Sequence, residues 1–361
     1  MAGFNRRQFI QLSAGTALSS AFSRFSLAQP NKKVGVALLG LGNYSENLLA
    51  PALQHTKYCE LRGIVTGSPH KIPRWQQKYD IKDSNIYSYD NLHQIANNPE
   101  IDVVYVVVPT GLHMRYSLAA ANAGKHVWCE KPMAMDVGQC ARMIETCNKN
   151  KVKLCIGYRM QHEPVTQAIR AYHQSKPFGD IQRFISEAGY AGNGAPADYW
   201  RMQKAMGGGA MYDMGVYPLN GARYISGQEP VAVTAHHEKS HPDIFKEVDE
   251  TTYFTLEFTD GPQAECATSV VKGFNQLQMS NRKGWYRIAP MQSYTGVKAE
   301  NSLGKKWPAF AGMQQTRQMD DDALAILNNT KVMVPGEEGM RDIHIIEKIF
   351  EAAKSGKRML I

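Results

Sequence analysis

The chain has 361 residues, 43% hydrophobic and 20% charged, with neither repeats nor low-complexity tracts, which excludes a disordered or solenoid protein and leaves room for two domains with cores of their own. Its formal charge of +8 is spread along the sequence, and the nearest approach to a basic-aromatic cluster, Lys305-Lys306-Trp307, reads as a solvated loop, so nucleic acid is not an expected partner. No segment approaches the run of roughly 18 apolar residues that a membrane span needs, so stable membrane insertion is not expected either.

Residues 1–28 stand apart. Asn5-Arg6-Arg7-Gln8-Phe9-Ile10-Gln11 places paired arginines ahead of a mild apolar run ending near Phe22, and Ser26-Leu27-Ala28 offers small residues before a cut at Gln29. A basic amphipathic helix is the plainer reading, but the order of the three regions predicts a twin-arginine signal and a periplasmic or otherwise exported protein. Its removal takes away Arg6, Arg7, Arg24 and no acid, lowering the formal charge from +8 to +5. The cysteines, Cys59, Cys129, Cys140, Cys147, Cys155 and Cys266, form no C-x-x-C pair and no zinc-like spacing, so no metal is expected and thiols or bridges both stay open.

Val34 to Leu39 is a continuous apolar run, as in a parallel strand covered on both faces, and it leads into Gly40-Leu41-Gly42-Asn43-Tyr44-Ser45. Two glycines allow a tight turn and close backbone approach to a pyrophosphate, and a helix opening near Ser45 would aim its N–H groups at the phosphates. Gly40, Gly42, Asn43 and Tyr44 are therefore cofactor candidates, although two glycines can also serve packing alone. The second strand, Glu60 to Val65, ends in Thr66-Gly67-Ser68-Pro69-His70-Lys71 without the carboxylate that binds the adenosine ribose of NAD. The hydroxyls of Thr66 and Ser68 and the ammonium of Lys71 suit a 2′-phosphate, which predicts NADP; the same residues could simply open a helix over 69–78. A short helix from Asp90 to Asn97 and a strand from Asp102 to Val108 follow. That strand stops at Pro109-Thr110-Gly111-Leu112-His113, ahead of a helix from Met114 to Ala123. Pro109 and His113 thus lie at a strand's carboxyl end, where His113 either touches the cofactor or merely neighbours the helix start.

The next stretch, Gly124 to Ala134, organises the rest. A short strand, His126 to Cys129, runs directly into Glu130-Lys131-Pro132, and a charged pair at a strand's carboxyl end is where an open α/β sheet builds its ligand crevice. Lys131 facing a nicotinamide would be placed to exchange a proton, and a cis bond before Pro132 is possible. A surface turn with a helix-starting proline is the bland alternative.

A helix from Val137 to Asn148 and a strand from Lys153 to Ile156 complete a pattern of alternating strands and helices, which predicts a doubly wound parallel sheet over 34–157. After Gly157-Tyr158-Arg159 the texture changes. A helix from Pro164 to Ser175 precedes strand-like runs at 181–188, 231–237, 251–258 and 264–271, many alternating apolar with polar. That pattern predicts a mainly antiparallel sheet flanked by helices over 158–361, for an overall class of α/β plus α+β. Inside this half lie Asp198-Tyr-Trp200-Arg201 and Gly207-Gly-Gly-Ala-Met-Tyr-Asp213-Met-Gly-Val-Tyr217. A helix from about Ala210 would put Asp213 and Tyr217 on one face, where a phenol beside a lysine can accept a proton from an alcohol, or where both side chains line an interface. Near the C-terminus, Asp320-Asp321-Asp322 is expected to cap a helix through Leu327, and a helix from Asp342 to Ala353 to end at Gly356.

With the Gly-Leu-Gly turn, Glu130-Lys131-Pro132 and the Asp213/Tyr217 pair in order, the chain resembles the Gfo/Idh/MocA oxidoreductase family from Val34 to about Met359. Most members carry His where Tyr217 stands; the tyrosine, the Thr66-Gly67-Ser68 turn and the signal peptide resemble the glucose–fructose oxidoreductase branch. The resemblance implies a tightly held NADP, contacted by Gly40, Gly42, Thr66, Lys71, Tyr89, Lys131, Arg159, Trp200 and Arg201, with Tyr294 as a further contact. The neighbouring Asn43, Tyr44, Ser68, Pro109, His113, Glu130 and Pro132 are included with them. Lys131, Asp213 and Tyr217 match the catalytic group, in which Lys131 lowers the tyrosine pKa and Asp213 orients the sugar. It further implies a homo-oligomer, a dimer or a tetramer. The branch's long proline-rich arm has no counterpart here, since only Gln29 to Lys33 lie between the signal and the first strand.

The implied reaction is oxidation of an aldose at C1 to an aldonolactone, with the same bound cofactor reoxidised by a second sugar, because an exported protein meets no pool of NADP. Two other readings stay open: a nicotinamide-dependent glycosidase of the same superfamily, against which Lys131 argues, and a non-catalytic NADP-containing sugar-binding protein.

Overall fold

The unbroken apolar run Val34-Gly-Val-Ala-Leu-Leu39 forms β1, every residue of it buried, because both faces of this strand are covered. The computed structural model describes residues 32–361 apart from 193, 194, 197 and 260, so the twin-arginine segment lies outside the described residues. From β1 the chain passes through a π-turn at Ser45–Leu49 into α1 (Ala50–Leu53), then β2 (Cys59–Val65), α2 (Ile72–Tyr79), β3 (Ile86–Tyr87), β4 (Val103–Val106), α3 (His113–Asn122), β5 (His126–Cys129), α4 (Val137–Lys149) and β6 (Leu154–Ile156). The expected helix at 90–97 is a 3₁₀ segment, Leu92–Asn97. All six strands pair in parallel in the order β3-β2-β1-β4-β5-β6. The order reverses between β1 and β4, which opens a crevice at their carboxyl ends.

The chain then runs through α5 (Arg159–His162), α6 (Pro164–Gln174) and β7 (Arg183–Gly189) to α7 (Val216–Ser226). Next come β8 (Pro230–Glu238), β9 (Thr251–Phe258), β10 (Ala264–Ser269), β11 (Asn275–Asn281), β12 (Gly284–Ile288), β13 (Ala299–Asn301) and β14 (Lys306–Trp307). Helices α8 (Gln314–Leu327) and α9 (Gly336–Ser355) precede β15 (Met359–Leu360). The second sheet has nine strands, ordered β14-β13-β12-β11-β7-β10-β9-β8-β15, and is antiparallel except where β7 meets β10. β11 to β14 escaped the sequence reading because their polar composition, Asn-Gln-Leu-Gln-Met-Ser-Asn in β11, hides the alternation. Lys305-Lys306-Trp307 is correspondingly no loop: Lys306 and Trp307 form the edge strand, and Trp307 packs on Tyr172 with ring centroids 5.0 Å apart.

Two helices from the end of the chain return to the parallel sheet. Met319 and Ala323 of α8 share a buried cluster with Val36, Leu38 and Ile64 of β1 and β2, while Glu347 of α9 accepts a hydrogen bond from Val137 N at the start of α4 (3.0 Å). The three aspartates expected as a cap fall in the middle of α8, which begins earlier, at Gln314. Asp320 instead accepts from the backbone amides of Lys57 and Tyr58 (2.8 and 2.9 Å). α9 ends at Gly356, whose φ of +67° closes it with a left-handed residue.

Candidate active site

Gly40 ends β1 at φ +96°, and a Cβ there would stand 2.3 Å from the Val107 carbonyl oxygen, so this turn admits only glycine. Around Gly42, by contrast, a Cβ would meet no atom within 4 Å, leaving backbone open to a ligand. Ser45, in the place of a third glycine, donates from Oγ to the Gly40 carbonyl (2.6 Å) and ties the turn to the following segment. At the end of β2, Thr66 Oγ1 accepts from Ser68 N (3.0 Å), and Lys71 Nζ reaches across to the Leu41 carbonyl (2.7 Å). The Tyr89 ring lies against Gly67 and stacks on Tyr116 at 4.8 Å. An open glycine turn, a lysine brought to its side and hydroxyls at the end of β2 fit a dinucleotide carrying a ribose phosphate. Asn43 is exposed and accepts from Asn47 Nδ2 (2.6 Å), while Pro109 begins the 3₁₀ turn after β4.

His113 requires a correction. It is only 1% exposed, and its Nδ1 and Nε2 each lie 2.8 Å from a backbone carbonyl, those of Pro132 and Val108. Burial pushes its pKa down, and a neutral ring donates to only one of them at a time. The residue braces the two loops at the ends of β4 and β5 and presents no free nitrogen to a cofactor.

Lys131 follows β5, and its bond to the buried Pro132 is cis. Its ammonium donates to the Asp213 backbone carbonyl (2.7 Å) and lies 4.6 Å from the centre of the Tyr217 ring. The helix expected from Ala210 opens as a π-turn, Met211–Gly215, before α7. Within this π-turn the Asp213 carbonyl accepts from Lys131 Nζ, and Pro218, five residues on, has no N–H to offer it. The start of this segment is fixed by Asp249, whose Oδ2 accepts from Met211 N (2.9 Å).

Tyr217 is buried beside two cations. Burial pushes its pKa up, but the charge of Arg159, and after it that of Lys131, outweighs burial and brings the phenol below its ordinary value. The sequence reading gave that role to Lys131; Arg159 acts more strongly because its Nη2 lies 3.4 Å from the phenol oxygen, whereas Lys131 sits over the ring. Beneath them Glu130, whose pKa burial raises, accepts from Tyr105 OH (2.6 Å), which in turn accepts from Gln318 Nε2 (3.0 Å).

The Asp213 carboxylate points to the rim, where Arg201 Nε (3.0 Å) and Tyr190 OH (3.2 Å) donate to the same oxygen. Arg201 stacks on Trp200 at 4.3 Å. Tyr294, 44% exposed, covers Arg159 at 4.6 Å and meets Tyr44 at 5.9 Å. The predicted residues therefore divide into a group beyond the end of β2 (Thr66, Ser68, Lys71, Tyr89), a glycine turn after β1, and a group where Lys131, Arg159, Asp213 and Tyr217 converge. Tyr190 and Gln314 join this last group unforeseen. Tyr190 carried a weak signal, lying just past the end of a strand; Gln314 carried none, since only the return of α8 brings it to Arg159. All six cysteines are free and buried, and among the described residues no cluster could hold a metal. A cavity of about 270 Å³ lies elsewhere, over Glu187, His236 and Tyr253 of the nine-stranded sheet.

The family profile described as the oxidoreductase family with NAD-binding Rossmann fold, GFO_IDH_MocA, matches residues 34–158, and that of the GFO/IDH/MocA C-terminal domain matches 166–287. The chain is 27% identical to D-xylose 1-dehydrogenase [NADP(+)] of Haloarcula marismortui, over 94% of this chain and 97% of that protein. The crystal structure of an aldose-aldose oxidoreductase from Caulobacter crescentus, complexed with glycerol, aligns with a TM-score of 0.87 and 34% identity, covering 91% of this chain and all (100%) of that one. A scyllo-inositol dehydrogenase from Lactobacillus casei with bound NAD(H) aligns at 0.75 and 19% identity over 91% of this chain and 99% of its own, a likeness of fold.

Proposed function

The chain belongs to the Gfo/Idh/MocA oxidoreductase family, and from that premise we propose that it is an NADP-dependent sugar oxidoreductase converting an aldose to its aldonolactone at C1. One observation carries the reading: Lys131, just past the carboxyl end of β5 in the parallel-sheet half, and Tyr217 of α7 in the other half meet, 4.6 Å from ammonium to ring centre. Relatives named for D-xylose with NADP(+) and for paired aldoses support the substrate class.

Thr66, Ser68 and Lys71 would hold the ribose phosphate, and the backbone around Gly42 the pyrophosphate. When bound, NADP supplies a hydride acceptor. The chain's own part is the proton. Tyr217 Oη, depressed in pKa, takes it from the anomeric hydroxyl as the C–H bond opens, and returns it when a second sugar is reduced. Asp213, clamped by Arg201 and Tyr190, can accept from a neighbouring sugar hydroxyl without swinging away. The lysine keeps the Asp213 segment at a fixed distance from the phenol.

The coupled reaction follows from the export signal, since a protein sent to the periplasm with its nucleotide must regenerate it in place. Self-association would use the outer face of the nine-stranded sheet, where Thr234 and His236 are exposed. The test is to release and identify the nucleotide of the purified protein, then follow reduced-nicotinamide absorbance on adding one aldose and afterwards a second sugar. NADP, with a rise on the first addition and a fall on the second, is expected; Tyr217→Phe should lose about 10²–10⁴ of both rates. A nucleotide that never responds to any sugar would overturn the proposal.

A further inference from the structure

Arg159 stands where the resemblance puts a cofactor contact, yet the residue is only 1% exposed. Nη2 donates to Tyr217 OH (3.4 Å) and to the Gln292 carbonyl; Nη1 donates to the Ser293 carbonyl (3.3 Å) and to Gln314 Oε1, and lies 3.0 Å from Met160 Sδ. The rings of Tyr217 and Tyr294 lie 5.2 and 4.6 Å from its central carbon. Every one of these partners is neutral. Among the described residues Arg159 makes no ion pair, whereas the other fully buried arginine, Arg223, is held by Glu229, Glu338 and Asp342.

A guanidinium keeps its proton in any protein interior, and a buried charge without a counter-ion is destabilising by several kcal/mol. Two acids lie near it: Glu130, a buried carboxyl whose oxygens accept from Tyr105 OH (2.6 Å) and Lys131 N (3.2 Å) and whose charge opposes ionisation of the phenol, and Tyr217, whose oxygen is the one within hydrogen-bonding reach of the guanidinium. We propose that Arg159 is a catalytic residue whose Nη2 donates to the Tyr217 oxygen and holds it as the phenolate base, the pair forming the contact ion pair that the guanidinium otherwise lacks. This rests on the reading of Tyr217 as proton acceptor and extends it. Lys131 is engaged elsewhere, its ammonium on the Asp213 carbonyl and over the ring rather than at the phenol oxygen. The balance of the step is simple. The substrate's O–H and C–H bonds break as C=O forms: the O–H proton passes to Tyr217 Oη, the hydride of the C–H is what a bound nicotinamide would accept, and Arg159 stays protonated throughout. Neutralising the phenolate loosens its hold on Arg159, which favours return of the proton in the reverse half-reaction. The direction of the phenol's pKa agrees, with Arg159 the leading cation acting against burial.

The experiment is an ultraviolet titration of tyrosinate in the protein as purified, with its nucleotide, comparing the wild type with Tyr217→Phe, Arg159→Gln and Arg159→Lys. The wild type should show one tyrosine ionising below the ordinary phenol range that Tyr217→Phe lacks. In Arg159→Gln that ionisation should move up by about 1–3 pH units, with Arg159→Lys in between. The acid limb of the kcat profile should move with it, and the rate at alkaline pH should recover to within about tenfold of wild type, as expected when a base is weakened rather than removed. A folded Arg159 variant whose tyrosine titrates unchanged, with only its nucleotide content reduced, would return Arg159 to cofactor binding and overturn the proposal. So would a wild-type titration identical to that of Tyr217→Phe, whatever the fate of the arginine variants. A protein inert toward sugars but showing the arginine-dependent shift would sink the proposed activity and leave the pair standing.

Discussion

Lys71 already lies beside the glycine turn, its ammonium on the Leu41 carbonyl, so a ribose phosphate would exchange one neutral acceptor for a charged one without moving the lysine far. A hydrogen bond to a charged group contributes about 1.5–3 kcal/mol, or roughly 10- to 150-fold in affinity at about 1.4 kcal/mol per decade. Lys71→Ala should therefore weaken NADP by about that factor and leave NAD nearly unaffected, which a titration with each nucleotide would reveal; equal losses would mean that the lysine reads only the shared pyrophosphate. At this scale the sequence was legible wherever a side chain's role is set by the strand end that carries it. Lys131 follows β5, Lys71 follows β2, and both are where the pattern of strands puts them. Arg159 was harder to read because its partners, Gln292, Ser293 and Gln314, come from positions 133 to 155 residues further on, and no local spacing encodes them. His113 misled for a related reason: a histidine at a helix start looks available until the loop of Pro132 is folded over it.

α8 shows how an element can be recognised and still be misread. Acidic residues favour a helix's first turn, so three consecutive aspartates suggested a start; Gln314, Gln315 and Gln318, all buried, belong to the same helix and move its beginning forward. The three aspartates then face three environments. Asp320 holds the amides before β2, Asp321 lies 2.8 Å from His162 Nδ1, and Asp322 is buried beside Cys155 and His162. Burial, opposed by His162, pushes the Asp322 carboxyl up to about 6. Because the folded value lies above the unfolded one, near 3.9, the native state binds the proton more tightly between about pH 4 and 6. Below that window the group is neutral in both states and costs nothing; as pH rises through it, stability is lost, up to about 3 kcal/mol. Asp322→Asn removes this loss. Urea unfolding should show the variant gaining on the wild type as pH rises from about 4 to 6 and holding its advantage above, while Asp342, also pushed up to about 6, remains in both proteins and cancels. A difference that is flat with pH would mean that Asp322 is solvated or paired. The π-turn ahead of α7 was equally hidden, since nothing in the local spacing shows that Lys131 will come to the Asp213 carbonyl.

Across the whole molecule the texture of the sequence changes near residue 158, and the core does not stop there. Val106, Val127 and Cys129 of the parallel sheet belong to one buried cluster with Phe184, Leu256 and Met279 of the nine-stranded sheet, while α8 covers the opposite face of β1 and β2. Strand alternation reports which residues are buried and is silent on what buries them, so the return of α8 and α9 could not be read from their own helical spacing. The candidate active site depends on this shared core, because Lys131 is carried by one sheet and Tyr217 by a helix packed on the other; a displacement of about 1 Å between them can cost roughly 10²-fold in rate. A fragment of residues 34–158, the span of the N-terminal family profile, would expose Leu38, Ile64 and the other side chains that α8 covers, each about 1.5–3 kcal/mol more stable when buried. It should bind a hydrophobic dye, aggregate at micromolar concentration and lack a sharp thermal transition, whereas the chain from Gln29 onward should melt in one step observed alike by tryptophan fluorescence and by circular dichroism. A monomeric fragment with its own cooperative melt would show that the parallel sheet holds its face without α8, and the convergence of Lys131 on Tyr217 would then rest on the contacts at the crevice alone.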